Sequence, residues 1–184
     1  NKATGQVRTN PNNQAFDKGP SDFDKRHVMN LSGLWELPFK PGNRLANAVI
    51  GGWSLNTIVS LWSGFPFSVG SGVDNARTGT GGQRADLVGQ PSLGDNRSQG
   101  QLIDQYLNKD AFALNALGTF GTLGRNTFRA PGFASVDFGL SKGFTLKERI
   151  TTTFRFEAFN AFNRTNLNPP QASRNNVQFM GITS

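Results

Sequence analysis

The strongest signal along the chain is a period of two. Between His27 and Phe39, the residues Met29, Leu31, Gly33, Trp35, Leu37 and Phe39 fall on one side, and Asn30, Ser32 and Glu36 on the other. Successive side chains of a strand point to opposite faces, so this alternation predicts a strand with one apolar and one polar face. The pattern returns from Trp53 to Val69, where Trp53, Leu55, Val59, Leu61, Phe65, Phe67 and Val69 oppose Ser54, Asn56, Ser60 and Ser68; Ile58 and Trp62 are out of step. That span far exceeds the soluble-protein norm of about five or six residues. A third segment covers residues 133–145, with Val136, Phe138 and Leu140 against Ser135, Asp137, Gly139 and Ser141. A fourth covers residues 150–163, with Ile150, Thr152, Phe154, Phe156, Ala158 and Phe162 against Thr153, Arg155 and Glu157. The expected fold class is all-β, with antiparallel strands.

The segments between them are polar. Residues 1–24 read as loop, residues 40–52 as a connection opening at Pro41–Gly42, and residues 163–184 as loop again. Leu146 to Arg149 makes a tight connection. Residues 70–132 form one long loop of Gly, Asn, Asp, Arg and Ser, within which Leu102–Leu107 could form a short helix. Such a loop is uncommon inside a compact soluble domain and ordinary on the outer side of a transmembrane β-barrel. Aromatic placement points the same way. Trp35, Phe39 and Trp53 gather at the strand ends joined by residues 40–52, and Phe144 stands beside the other short connection. An interfacial girdle needs aromatic residues there, although hydrophobic staples at strand ends would place them similarly. In a barrel, Phe154 and Phe156 share the lipid face with Ile150. Charge is costly on that face, so Arg155, Glu157, Asp137 and Glu36 are expected to face the lumen.

Composition removes several alternatives. Apolar residues make up 36% and charged residues 17% of the chain, which has 22 Gly, 16 Phe and a single Tyr. Both fractions lie below the averages for soluble domains. The net charge of +7 invites a nucleic-acid reading, but Lys25–Arg26 is the only adjacent basic pair and no basic run carries interleaved aromatics, so no nucleic-acid partner is expected. Without Cys, and with His27 as the only histidine, neither disulfides nor a transition-metal site are expected; His27 is better placed to cap a strand. Leu61–Phe65 reads LWSGF, which is not the nucleophile elbow of a hydrolase. Gly118, Gly121 and Gly124 lack phosphate-loop spacing, and Asp74, Asp86, Asp95 and Asp104 lack that of a calcium loop. No enzyme activity and no cofactor are expected. No apolar run is long enough for a membrane-spanning helix, but a membrane-spanning strand needs only about 9–11 residues.

Four segments in this order and spacing carry a resemblance: DFDKRHVMNLSGLWELPF at Asp22–Phe39, GGWSLNTIVSLWSGFPFSV at Gly51–Val69, GTFGTLGRNTFRAPGFASVDFGLSKGF at Gly118–Phe144, and FRFEAFNAFN at Phe154–Asn163. Over residues 22–168 the chain resembles the C-terminal part of large TonB-dependent receptors, with the Oar-like group that carries a carboxypeptidase-regulatory-like domain the nearest in character. The resemblance implies a barrel of about 22 strands with a plug inside, in the bacterial outer membrane, taking up or binding a large ligand at the cell surface. The implied partners are the remaining barrel strands and plug of the same receptor, outer-membrane lipid, and TonB through an N-terminal region. No segment here resembles the plug, the TonB box or the aromatic-ended last strand. The expectation is therefore a C-terminal fragment of about four strands, short of the roughly eight that close the smallest bacterial barrels. The rival expectation is a small soluble β-rich binding module with a long recognition loop.

Overall fold

The computed structural model describes residues 9–79, 82–147 and 150–183. Residues 1–8 of the expected N-terminal loop, Thr80–Gly81 in the long loop, the Glu148–Arg149 half of the tight connection and Ser184 lie outside the described residues. In chain order the elements are β1 (Val28–Glu36), α1 (Arg44–Ile50), β2 (Trp53–Trp62), β3 (Pro66–Phe67), β4 (Asp86–Leu87), α2 (Gln99–Asp104), β5 (Phe112–Ala113), β6 (Phe128–Arg129), β7 (Phe133–Lys147) and β8 (Ile150–Ala158). The chain divides into two compact units, one of residues 27–63 and 133–166, the other of residues 1–26, 64–132 and 167–184.

The first unit is a four-stranded sheet in the order β1-β2-β7-β8, antiparallel throughout. Registers run from Val28↔Trp62 to Glu36↔Ser54, from Trp53↔Lys142 to Trp62↔Phe133, and from Phe138↔Ala158 to Thr145↔Thr151, with an irregularity between Thr145 and Lys147. Directly opposed residues share a face, so the alternation read along each strand becomes rows across the sheet. Leu31, Val59 and Val136 form one row and Trp35, Leu55, Leu140 and Phe156 another on the same side. The other side carries Asn30, Ser60 and Ser135, then Leu34, Asn56, Gly139 and Glu157, then Glu36, Ser54, Ser141 and Arg155. At Gly139 a Cβ would lie 3.2 Å from the side-chain amide of Asn56, a close contact that the exposed Asn56 side chain would have to yield to.

Among the described residues, this unit holds none of the buried apolar ones. Every position of β1 is exposed, and Leu31, Trp35 and Phe156 are each more than half exposed. The second unit is built the other way. Val69, Ala85, Ala111, Phe112, Leu123, Phe179 and Met180 form a buried cluster, with Phe67, Leu107 and Phe128 packed against it. Phe112 meets Phe128 and Phe179 edge-on at 5.5 and 5.8 Å. Two short pairs, β3 with β6 and β4 with β5, frame this cluster. Three Arg–Asp pairs fasten the N-terminal segment to the long loop: Arg84 with Asp17 at 2.9 Å, Arg125 with Asp22 at 3.2 Å, and Arg129 with Asp24.

Several expected boundaries move. The strand expected over residues 53–69 ends at Trp62. Gly64 packs so tightly on the Ala130 carbonyl that a Cβ would lie 1.7 Å from its oxygen, and Pro66 has no N–H for a ladder. Beyond that break the chain pairs with β6 instead. The first strand stops at Glu36, with Leu37 making a last bond to the Trp53 carbonyl before Pro38, so Phe39 is outside it. The third strand runs two residues further, to Lys147. The fourth ends at Ala158, and Phe162 lies in a turn where Asn160 and Asn163 take positive φ. The connection 40–52 contains α1, capped by the Asn43 side chain accepting from the Leu45 N–H. Residues 70–132 are not structureless: they supply most of a core, and their helix begins at Gln99, three residues early, because Ser98 and Gln101 form a capping box.

Candidate functional site

The two faces of the sheet are the candidate site. On the apolar face, each residue of the row Trp53–Lys142–Phe154 is opposed by its neighbour in the ladder. Trp53 and Phe154 meet edge-on with ring centroids 5.9 Å apart. The Lys142 ammonium lies 5.5 Å from the Trp53 ring and 5.1 Å from the Phe144 ring, and the residue is only 4% exposed. Sequence reasoning passed over Lys142, although it stands in phase with Val136, Phe138 and Leu140; a cation in an apolar phase was the available signal. Trp35 lies on this face in the row of Phe156. Phe39, half exposed, follows β1 and belongs to no row.

The other face gathers Glu36, Asp137, Arg155 and Glu157. Arg155 and Glu157 approach to 3.8 Å with both side chains well exposed, so the pair contributes less than about 1 kcal/mol. Asp137 accepts hydrogen bonds from the Ser135 hydroxyl at 3.0 Å and from the Asn160 N–H at 2.8 Å, which fixes the turn after β8. Glu36 opposes Ser54 at the end of β1. The exceptions to polarity include Trp62 and Phe133, which stack at 3.9 Å with planes 6° apart.

In the other unit Arg84 is the electrostatic hub. It is buried, and it donates to the carbonyls of Leu123 at 2.7 Å and Phe16 at 2.6 Å, to the Asp17 carboxylate at 2.9 Å and to the Thr9 hydroxyl at 3.4 Å. Its guanidinium lies 4.0 Å from the Phe16 ring centroid. Partial burial pushes the Asp17 carboxyl upward, but hydrogen bonds from Arg84 and Thr9 and the arginine's charge outweigh it, leaving the group below the ordinary aspartate value. For Asp74 desolvation is likewise outweighed, here by donors from Thr78, Gly79 and Gln83, so its carboxyl also lies low. A cavity of about 250 Å³ is lined by Leu93, Arg97, Leu102, Tyr106, Phe128 and Arg129 among others. Burial raises the Tyr106 phenol above its ordinary value despite the charge of Arg97.

The four loop aspartates do not converge. Asp74 binds its own turn and Asp86 accepts from the Thr122 N–H. Among the described residues no group of three or more His, Cys, Asp or Glu could hold a metal ion, and no helix is long and apolar enough to cross a membrane. His27 exchanges hydrogen bonds with Ser63 through its backbone, at the start of the β1–β2 pair.

A family model described as the outer membrane beta barrel domain matches residues 1–184. The chain belongs to that family. It is therefore a protein of the outer membrane, and its antiparallel strands are those of a barrel domain. No curated protein and no solved structure matches it.

Proposed function

We propose that this chain forms part of the barrel wall and outer loop of a TonB-dependent receptor that binds or takes up a large ligand at the cell surface. The carrying observation is the asymmetry of the connections. At one end of the sheet β7 meets β8 across residues 148–149, and β1 meets β2 through residues 37–52. At the other end β2 and β7 are joined by residues 63–132, most of which fold around a core of their own. Outer-membrane barrels keep short turns in the periplasm and long loops outside, so residues 63–132 are the outward, ligand-meeting part. The apolar face of the sheet then meets lipid, and Glu36, Asp137, Arg155 and Glu157 face the lumen and the plug. No bond is made or broken by this chain: its role is recognition and passage. The order and spacing of the four segments at residues 22–39, 51–69, 118–144 and 154–163 support the TonB-dependent type.

Two measurements test the reading. Single cysteines at Ser92 and Lys147 in intact cells should differ, with Ser92→Cys labelled by an impermeant maleimide and Lys147→Cys silent; the reverse pattern overturns the orientation. The full-length protein should retain the periplasmic domain of TonB on a column. Failure to retain it, with correct labelling, would leave an outer-membrane barrel of another type.

A further inference from the structure

Helix α1 and the residues before it carry a surface that strand alternation does not explain. Leu45 and Val49, four residues apart and so on one helix face, are 79% and 69% exposed, and Phe39 and Ile50 are about half exposed. Lys40 and Arg44 accompany them, and no Asp or Glu occurs from Leu37 to Gly52. The helix is held in place by two side chains of the sheet. The Trp53 indole N–H donates to the Val49 carbonyl at 2.9 Å, and the Lys142 ammonium donates to the Asn47 carbonyl at 3.5 Å. Both residues belong to the apolar face, so α1 is fastened on that side of the wall and not on the polar side. The carbonyls they reach lie in the last turn of the helix, where cations and donors are favoured.

The level of this attachment follows from the strands. From Trp53 to Trp62 there are nine residue steps. At about 3.3 Å per step and a tilt near 40° they rise roughly 23 Å, close to the apolar band of about 25 Å in outer-membrane barrels. The row Trp53–Lys142–Phe154 is thus one edge of the band. A cation on the lipid side is costly at mid-membrane and tolerated at that edge, where its stem lies among apolar groups and its head reaches polar ones.

We propose that α1, with Phe39 and Lys40, is an interfacial helix docked on the leaflet at this end of the barrel. Leu45, Val49 and Ile50 enter the acyl boundary, and Lys40 and Arg44 pair with the phosphates of anionic phospholipid. An exposed apolar helix face continuous with a lipid-facing wall, flanked by cations alone, matches a negatively charged leaflet better than a protein partner. The inference rests on the reading of the apolar face as the lipid side.

Because the chain has no cysteine, single labels test it directly. The folded protein is placed in vesicles of phosphatidylethanolamine and phosphatidylglycerol, with an environment-sensitive fluorophore at Val49→Cys, at Leu31→Cys on the sheet's apolar face, or at Ser92→Cys as the aqueous reference. The Val49 label should be quenched by nitroxide on the upper acyl chain and shielded from iodide, as the Leu31 label is. The double variant Lys40→Gln, Arg44→Gln should lose its preference for spin-labelled phosphatidylglycerol over phosphatidylcholine by about fivefold per charge removed. A Val49 label open to iodide, beside a lipid-quenched Leu31 label, overturns the docking of α1 and leaves the barrel wall intact. A Val49 label shielded from both quenchers means that protein covers the helix, which also overturns it. An unchanged lipid preference in the double variant removes the phosphate contacts. If the Leu31 label is itself open to iodide, the lipid-side reading fails, and the docking with it.

Discussion

Val59 and Ser60 are neighbours in β2 that the register sends to opposite faces, so one charge can be placed on either side of the wall with almost no change in height. Val59 lies in the row Leu31–Val59–Val136, and Ser60 in the row Asn30–Ser60–Ser135. Val59 is six steps from Trp53. At about 3.3 Å per step and a tilt near 40° it stands roughly 15 Å above the edge of the band, just past the middle. An arginine on the lipid face at that depth costs about 2–4 kcal/mol. Leu55, two steps from Trp53 on the same face, stands only about 5 Å above the edge, and Leu55→Arg should cost nearer 1 kcal/mol. Ser60→Arg enters a row of small polar residues and should stay within roughly 0.5 kcal/mol of the parent. Reversible denaturant unfolding of the protein in lipid vesicles gives all three numbers. The order Val59, then Leu55, then Ser60 is the expected result. Equal costs at Val59 and Ser60 would refute the assignment of faces, and a larger cost at Leu55 than at Val59 would refute the placement of the band.

Three further outcomes concern the unit with the core. Arg84→Met removes the partner of a partly buried carboxylate and should cost about 3 kcal/mol, the low end for breaking a buried pair because Asp17 keeps the Thr9 N–H; faster amide exchange over residues 9–26 is the readout. The folded carboxyl of Asp17 lies below its unfolded value, so its contribution is present above about pH 4 and fades as pH falls through the folded pKa. Protection of residues 9–26 should hold from pH 7 to pH 5 and fall below pH 4, and a loss already complete at pH 6 would contradict the pairing. Gly64→Ala forces a Cβ onto the Ala130 carbonyl and should cost more than about 2 kcal/mol, seen as exchange of the Ala130 N–H, which donates to the Phe65 carbonyl at 2.9 Å.

What was legible in the sequence follows from the range over which each interaction acts. The faces of the sheet are written locally, because a strand repeats every two residues and a lipid-facing row admits little but apolar side chains. That is why Leu31, Leu55, Leu140 and Phe156 could be placed on their faces before any register was known. The end of β2 was also written locally, in Gly64 and Pro66, but the apolar phase of Phe65, Phe67 and Val69 ran across it and concealed the change of partner. Those last three residues keep the phase for another reason: Val69 is core and Phe67 packs on it. Helix α1 is seven residues long, too short for a periodic signal to stand out. The core of the loop unit could not be read. Val69, Phe112 and Met180 meet from distant parts of the chain, and the Arg–Asp partners stand 67, 103 and 105 residues apart, without any local pattern.

The two units meet the same requirement by different means. On the proposed reading the sheet's apolar face meets acyl chains and needs no second layer: its large residues are exposed or half-buried, while every buried apolar residue among the described residues lies in the other unit. A loop that will meet water must close on itself. With 36% apolar residues over the whole chain and the sheet face using many of them, little apolar surface remains for the loop, and small units are marginal when their cores are small. Its core is a handful of side chains around Phe112. The remaining cohesion is polar and directional. Arg84 satisfies two carbonyls and a carboxylate at once, Arg129 binds both the carboxylate and the carbonyl of Asp24, and Asn126 donates to Asp22 and to the Pro20 carbonyl. Such contacts define one arrangement of a long insertion without requiring a larger core. Among them, the hold of Asp17 on Arg84 is lost as pH falls through the lowered pKa of its carboxyl, so low pH should loosen the N-terminal segment of this unit.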